Sequence, residues 1–243
     1  MDKPSTILVT GATSGIGRVL CSELAERGHR LLVVGRDPDR LAGLTHEIPG
    51  STAIRLDLTD FDAYPAAFGA GEPIDGLVCS AGVYASTLTR FFSPAAHEAL
   101  MRTNLTSPLA VIGQLQKAKR LNRGTSIVLV SSILGPVLGL AGSISYAASK
   151  AALVGAAKSL ALELARQDIR VNCVSPGMVE TEMTQGLGYM SPEAHDTVKA
   201  SYPLGHRYAT PAEVTACIRF LLSAESSFMT GANLVVDGGC SVQ

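Results

Sequence analysis

Charge is scarce in this sequence. Asp, Glu, Lys and Arg make up 17% of its 243 residues, while hydrophobic types make up 47%. An average soluble chain carries about 25% charged residues. This balance excludes a disordered, highly solvated chain and points to surface covered by other subunits. Neither sign dominates: 20 Lys and Arg stand against 21 Asp and Glu, for a formal net charge of −1. A nucleic-acid binder would show a basic excess, so none is expected as a partner. Tryptophan is absent. Cysteine is present only as Cys21, Cys79, Cys173, Cys217 and Cys240, odd in number and without a Cys-x-x-Cys pair. That pattern speaks against a disulfide framework or a zinc site and favours a reducing compartment.

Long apolar segments of the membrane kind are also missing. After Met-Asp-Lys-Pro-Ser only Ile7-Leu8-Val9 is apolar, too little for the core of a signal peptide, so a cytoplasmic protein is expected. The 26 residues 124–149 carry no charge, enough in length for a span of about 20 residues. They also contain four Gly, six Ser and Pro136, which interrupt a helix. A buried strand, a loop and a helix start are expected there, with no membrane contact.

What is present is an alternation. Apolar runs at 7–9, 31–34, 53–56, 77–79, 127–130, 170–174 and 233–236 read as strands. Helical patterns lie between them at 15–28, 39–47, 60–68, 95–121, 145–166 and 211–223. The strands do not alternate in polarity, which fits a parallel sheet covered on both faces. The prediction is an α/β protein: one Rossmann-type, doubly wound domain spanning 1–243, with about seven parallel strands. No repeat or linker divides it.

Thr10-Gly11-Ala12-Thr13-Ser14-Gly15-Ile16-Gly17 follows the first strand and opens an amphipathic helix. Gly11 permits a tight turn, Gly15 lets a diphosphate approach the backbone, and Gly17 lets the helix pack on the sheet. The helix N-terminus offers unpaired N–H groups to phosphate. The second strand ends in Gly35-Arg36, where an acidic residue would favour a free ribose 2′-hydroxyl. Arg36 suits a 2′-phosphate, with Arg18 near enough in sequence to help, so NADP(H) is favoured and NAD(H) is the alternative. Arg36 also reads as a lead into the Asp37-Pro38 helix start. Tyr146 and Lys150 stand four apart, on one face of a helix. A phenol titrates near about 10, and a neighbouring ammonium brings it toward acid/base work. Ser132 can meet the pair at the C-terminal edge of the strands.

The glycine-rich turn, Asn104, Ser132, Tyr146 with Lys150, and Pro176-Gly177 occur in one order and spacing. With Arg170-Val171-Asn172-Cys173-Val174-Ser175 and the tail Thr230-Gly231-Ala232-Asn233 to Asp237-Gly238-Gly239, the sequence resembles the short-chain dehydrogenase/reductase family over nearly its whole length. Within it, the sequence looks most like the 3-oxoacyl-acyl-carrier-protein reductases and related ketoreductases. The resemblance implies Tyr146 as general acid/base and Lys150 as the group that lowers its pKa and binds the nicotinamide ribose. It implies Ser132, ahead of Ser131, as hydrogen-bond partner of the substrate oxygen. Asn104 would hold a relay water, or alternatively would serve a helix kink. Asp57 would meet the adenine amine, and Pro176, Gly177, Val179 and Thr181 would frame the nicotinamide amide and diphosphate. The expected cofactor contacts are thus Gly11, Thr13, Ser14, Gly15, Ile16, Gly17, Arg36, Asp57, Leu58, Ala81, Gly82, Tyr146, Lys150 and those four. No metal is implied. One departure stands out: Cys79-Ser80-Ala81-Gly82 replaces the family's Asn-Asn-Ala-Gly, removing two amides while Ser80 keeps a small hydrogen-bonding group.

The expected activity is NADP(H)-dependent reduction of a small-molecule or carrier-bound ketone to a secondary alcohol. A catalytically idle NADP(H)-sensing or scaffold protein on the same fold is the alternative. Residues 182–211, with Met183, Gly186, Gly188, Tyr189 and Met190, read as a substrate lid. Ala147, Ala148, Ala151, Ala152, Gly155, Ala156 and Ala157 allow a second helix to approach closely, and the family pairs subunits through this helix and 95–121. A homotetramer or homodimer is expected. Lys117, Lys119, Arg120 and Arg123 form a basic cluster that could steer an acidic acyl carrier, or could simply complement a helix C-terminus.

Overall fold

The computed structural model describes residues 4–185 and 191–242. Its centre is a seven-stranded sheet, parallel throughout: β1 (Thr6–Thr10), β2 (Arg30–Gly35), β3 (Thr52–Arg55), β4 (Ile74–Cys79), β5 (Leu121–Val130), β6 (Arg170–Pro176) and β7 (Asn233–Val236). The spatial order is 3-2-1-4-5-6-7. The chain therefore winds outward from β1 to β3, returns, and winds the other way from β4. The order reverses between β1 and β4, and in such sheets ligands settle beyond the strand ends at that reversal.

Side chains of a strand alternate between faces, so an unbroken apolar strand feeds two cores. On β1, Leu8 joins one core while Ile7 and Val9 join the other. The first core also holds Leu77, Ile127, Leu129 and Val171, covered by α3 (Tyr64–Phe68), α5 (Ser107–Lys117) and α6 (Ile144–Leu164). The second holds Val78, Val128, Val130 and Val174 under α1 (Gly15–Glu26), α2 (Pro38–Glu47) and α9 (Pro211–Leu222). Among the described residues no helix is long and apolar enough to cross a membrane.

Three expectations about elements change. The helix expected over 95–121 is two helices, α4 (Pro94–Met101) and α5, joined by a π-helical turn at Arg102–Thr106. Pro108 is the cause: it has no N–H for the Asn104 carbonyl, and its ring crowds that position. The helix expected over 60–68 is a 3-10 turn, Phe61–Ala63, running into the short α3. β5 begins at Leu121, well before the apolar run at 127.

The basic cluster also breaks up. Lys119 takes a left-handed conformation (φ 55°) just beyond α5. Arg120 turns inward, 5% exposed, and donates from Nε and Nη2 to the Glu72 carbonyl at 3.2 and 2.9 Å. Arg123 pairs with Asp168 at 2.6 Å. The cluster lies where β5 starts, at the edge of the sheet opposite the strand C-termini and so away from the cleft described below.

Candidate active site

A cleft of about 1000 Å³ lies beyond the C-terminal ends of the strands. Its floor is the turn from β1 into α1. Gly11 sits at φ 67°, and a Cβ there would lie 2.7 Å from the Ala81 nitrogen. A Cβ on Gly17 would lie 2.2 Å from the Gly11 carbonyl oxygen, so helix and turn touch without side chains between them. Ser14 caps α1 in an extended conformation and makes no side-chain capping bond, leaving the first N–H groups of the helix to a ligand. Across the cleft the methyl of Thr181 reaches 3.3 Å from a Cβ built on Gly15, closing a narrow cradle. This backbone-lined space with a helix N-terminus at its base fits a dinucleotide diphosphate.

Ser80 explains how the departure from the family pattern is tolerated. Its Oγ donates to the Thr10 carbonyl at 2.7 Å, bracing β4 to β1 where the family has an amide. Ser80→Ala should cost ~1 kcal/mol, lowering Tm by about 2–4 °C for a chain of this size. A thermal scan with unchanged Tm would show the bond to be dispensable.

At the end of β2, Arg36 lines the cleft beside Asp57 and Leu58. Thr59 donates its N–H and hydroxyl to Asp57 Oδ1, both at 2.8 Å. Those bonds, with the charges of Arg36 and Arg102, hold the Asp57 carboxyl below its ordinary range. Arg18 does not join Arg36: its guanidinium binds Glu47 at 2.5 and 2.8 Å, on the outer side of α2.

The other end of the cleft gathers Ser132, Tyr146 and Lys150. Ser132 follows β5, and Tyr146 and Lys150 share a face of α6. The Lys150 ammonium donates to the Val130 carbonyl at 2.8 Å and lies 5.7 Å from the centre of the Tyr146 ring. A Cβ on Gly82 would lie 3.4 Å from Lys150 Nζ and 3.5 Å from Asn104 Oδ1, which places this backbone in contact range of both side chains. Ser131 donates to the Lys150 carbonyl at 2.8 Å, which gives it a bracing role on α6.

Burial raises the Tyr146 phenol above its ordinary pKa, Ser132's hydrogen bond works the other way, and Tyr84 adds to the rise. Sequence reasoning expected the lysine to bring the phenol down; in this chain desolvation outweighs the other influences. Burial lowers Lys150 to about 8, opposed by Cys173. Near neutral pH the pair is therefore a protonated phenol beside an ammonium, the state suited to giving up a proton.

Every site residue expected from the sequence lines this cleft except Asn104. Asn104 is buried behind it. Its Oδ1 accepts from the Val83 N–H at 2.8 Å, and its Nδ2 donates to the Val83 carbonyl at 2.9 Å and to Ser149 Oγ at 3.2 Å. Of the expected lid, α7 (Glu182–Gln185) and α8 (Pro192–Ala200) flank the cleft, and Met183 and Val198 line it. Gly186, Gly188, Tyr189 and Met190 lie outside the described residues. Sequence reasoning missed Tyr84, Tyr202 and Cys240, which also line the cleft. Tyr202 accepts from the Met178 N–H at 2.7 Å and packs under Gly177. Position offered a signal for two of them: Tyr84 lies just past Ala81-Gly82, and Cys240 directly follows Gly238-Gly239.

The comparisons with known proteins agree along the whole chain. A family profile described as Enoyl-(Acyl carrier protein) reductase matches residues 11–241. The 3-oxoacyl-[acyl-carrier-protein] reductase MabA of Mycobacterium tuberculosis is 32% identical over 238 residues, covering 96% of this chain and 92% of that protein. Carbonyl reductase family member 4 of Danio rerio is 35% identical over 238 residues, covering 96% of each. Among solved structures, an oxidoreductase of the short chain dehydrogenase/reductase family from Burkholderia thailandensis superposes with a TM-score of 0.85 at 35% identity, covering 99% of this chain and 94% of that one. A short chain dehydrogenase family protein from Francisella tularensis reaches a TM-score of 0.89 at 28% identity, covering 99% and 100%.

Proposed function

Because this chain belongs to the short-chain dehydrogenase/reductase family, we propose that it is an NADP(H)-dependent ketoreductase with Tyr146 as its general acid/base. The observation that carries the reading is the meeting of Ser132, Tyr146 and Lys150 at the open end of a glycine-lined dinucleotide cradle. Gly11, Thr13, Ser14, Gly15, Ile16 and Gly17 hold the diphosphate, and Arg36 grips a 2′-phosphate. Asp57 and Leu58 border the adenine, Ala81 and Gly82 pass the ribose, and Pro176, Gly177, Val179 and Thr181 frame the nicotinamide. When bound, NADPH supplies the hydride for the carbonyl carbon. Ser132 donates a hydrogen bond to the carbonyl oxygen, which polarises it. Tyr146 passes its phenolic proton to that oxygen as the alcohol forms. Lys150 stabilises the phenolate left behind, and Asn104 keeps the loop beside Lys150 in place through Val83.

The substrate reads as a ketone, small or carried as a 3-oxoacyl thioester, because two of the relatives above carry carbonyl or 3-oxoacyl reduction in their names. The segment 182–211 serves as its lid. The test is to mix the protein with NADPH and a panel of ketones, acyl-carrier thioesters included, and follow cofactor oxidation. Ketone-dependent oxidation is expected; cofactor binding without turnover of any ketone would favour an idle sensor or scaffold. The five cysteines are all free thiols, which supports a place in the reducing cytoplasm.

We also propose self-association through α6 and the α4–α5 stretch that replaces the helix expected over 95–121. α6 is apolar around much of its circumference, with Leu162 81% and Ile144 47% exposed, and such a helix gains by burial. Sedimentation should give at least twice, and on the tetramer reading four times, the 25.3 kDa chain mass. A lone single-chain species at micromolar concentration would contradict this.

A further inference from the structure

The loop after β4 presses an aromatic ring against the proposed acid. Tyr84 meets Tyr146 edge-on, with ring centres 5.0 Å apart and planes at 69°. Its hydroxyl shares a 3.0 Å hydrogen bond with Ser143 Oγ, and Ser143 is wholly buried immediately before α6. The backbone leading to Tyr84 has little freedom. Asn104 grips both polar backbone groups of Val83, and Asn104 is itself set by the π-helical turn. Further along the loop, the Thr87 N–H donates to the Gly142 carbonyl at 2.7 Å, stitching the loop to the segment ahead of α6. The ring of Tyr84 is thus held at the proposed acid by the loop before it, the loop after it and its own hydroxyl.

Resting on the reading of Tyr146 as proton donor, we propose that Tyr84 is a positioning residue whose ring fixes the Tyr146 phenol and keeps water from one of its sides. A phenol side chain turns about two torsions, and an edge-to-face neighbour restricts both. With Tyr84 packed against the ring and Ser132 hydrogen-bonded to the hydroxyl, the phenolic oxygen is held for a substrate oxygen entering from the cleft. The same contact bears on titration. Tyr146 is faced by Tyr84 from the β4 loop, by Ser132 beyond β5, and by Lys150 on its own helix. From α4, His97 Nδ1 pairs at 2.9 Å with Ser145 Oγ, next in sequence to Tyr146. Lys150 is the charged group among these, and it favours the phenolate; exclusion of water favours the phenol. Removing the Tyr84 ring admits water and leaves the lysine's influence less opposed.

The test compares Tyr84→Leu, Tyr84→Phe and Tyr146→Phe with the parent, using NADPH and one small ketone across a pH range. Tyr84→Leu should lower kcat about tenfold, the loss that goes with a loosened catalytic geometry. It should leave the KM for NADPH unchanged and move the alkaline limb of the kcat profile to lower pH by about half a unit or more. Tyr84→Phe keeps the ring edge and should retain most of the parent kcat. If Tyr84→Leu does not fold, as judged by circular dichroism, Tyr84→Met supplies the same comparison with a longer apolar side chain. A Tyr84→Leu enzyme with the parent kcat and pH limb would overturn the role of Tyr84, as would equal losses in the Leu and Phe variants. Parent-rate turnover by Tyr146→Phe would overturn the reading of Tyr146 itself, which separates the two failures.

Discussion

Tyr146→Phe is expected to bind NADPH as the parent does while turning over ketone ~10²–10⁴-fold more slowly, the usual worth of a positioned acid/base. The substitution deletes one oxygen and keeps the ring, so its contact with Tyr84 and the packing of α6 survive. The diphosphate cradle lies at the β1–α1 turn, with no element shared with that oxygen. Loss should therefore fall on the proton-transfer step and spare the cofactor's dissociation constant. Binding followed by fluorescence and turnover followed by NADPH absorbance separate the two quantities. The pH dependence has a defined sign. Burial holds the phenol above its ordinary pKa, so the acid form is retained through neutral pH, and the parent's reduction rate should stay level there and decline only on the alkaline side. A Phe variant running at the parent rate would remove Tyr146 from the chemistry.

Arg36→Asp is expected to weaken NADPH roughly 10–100-fold, since hydrogen bonds to a charged group are worth about 1.5–3 kcal/mol and each 1.4 kcal/mol is tenfold. NADH should lose little and gain relative to NADPH, because a carboxylate at the end of this strand can accept from a ribose hydroxyl. The change also places a third carboxylate beside Asp37 and Asp57, adding repulsion toward a 2′-phosphate. Asp57 loses the Arg36 charge that helps hold its pKa down, though the bonds from Thr59 remain. Titrating both cofactors into parent and variant reads the ratio directly. Equal parental affinity for NADPH and NADH would defeat the assignment to Arg36, and so would an unchanged preference in the variant.

Much of the fold was legible because it is written in local patterns. Unbroken apolar runs announced strands covered on both faces, and the three glycines of the first turn announced a backbone-lined cradle at its entrance. Tyr146 and Lys150 could be paired on paper because one helix turn links them. Other features were visible and passed over. Pro108 interrupts the helix that its neighbours' periodicity made continuous, and the resulting π turn is what aims Asn104 at Val83.

By itself, then, the sequence determined the family, the doubly wound sheet and most of the side chains that gather in the cleft, because each rests on a short run of residues whose conformation is set by its neighbours. Tertiary structure alone decided the contacts between distant segments. Ser80 reaches Thr10 between the ends of neighbouring strands, 70 residues away in sequence. Arg120 leaves the solvent because the Glu72 carbonyl, 48 residues earlier, waits beneath it. Arg18 is drawn to Glu47 and away from the cleft by the position of α2. Tyr84 closes on Tyr146 because Asn104 and Ser143 fix it from two other segments. A hydrogen bond or ring contact is worth having only at its own short range, and which groups come within that range is settled by how the helices pack on the sheet.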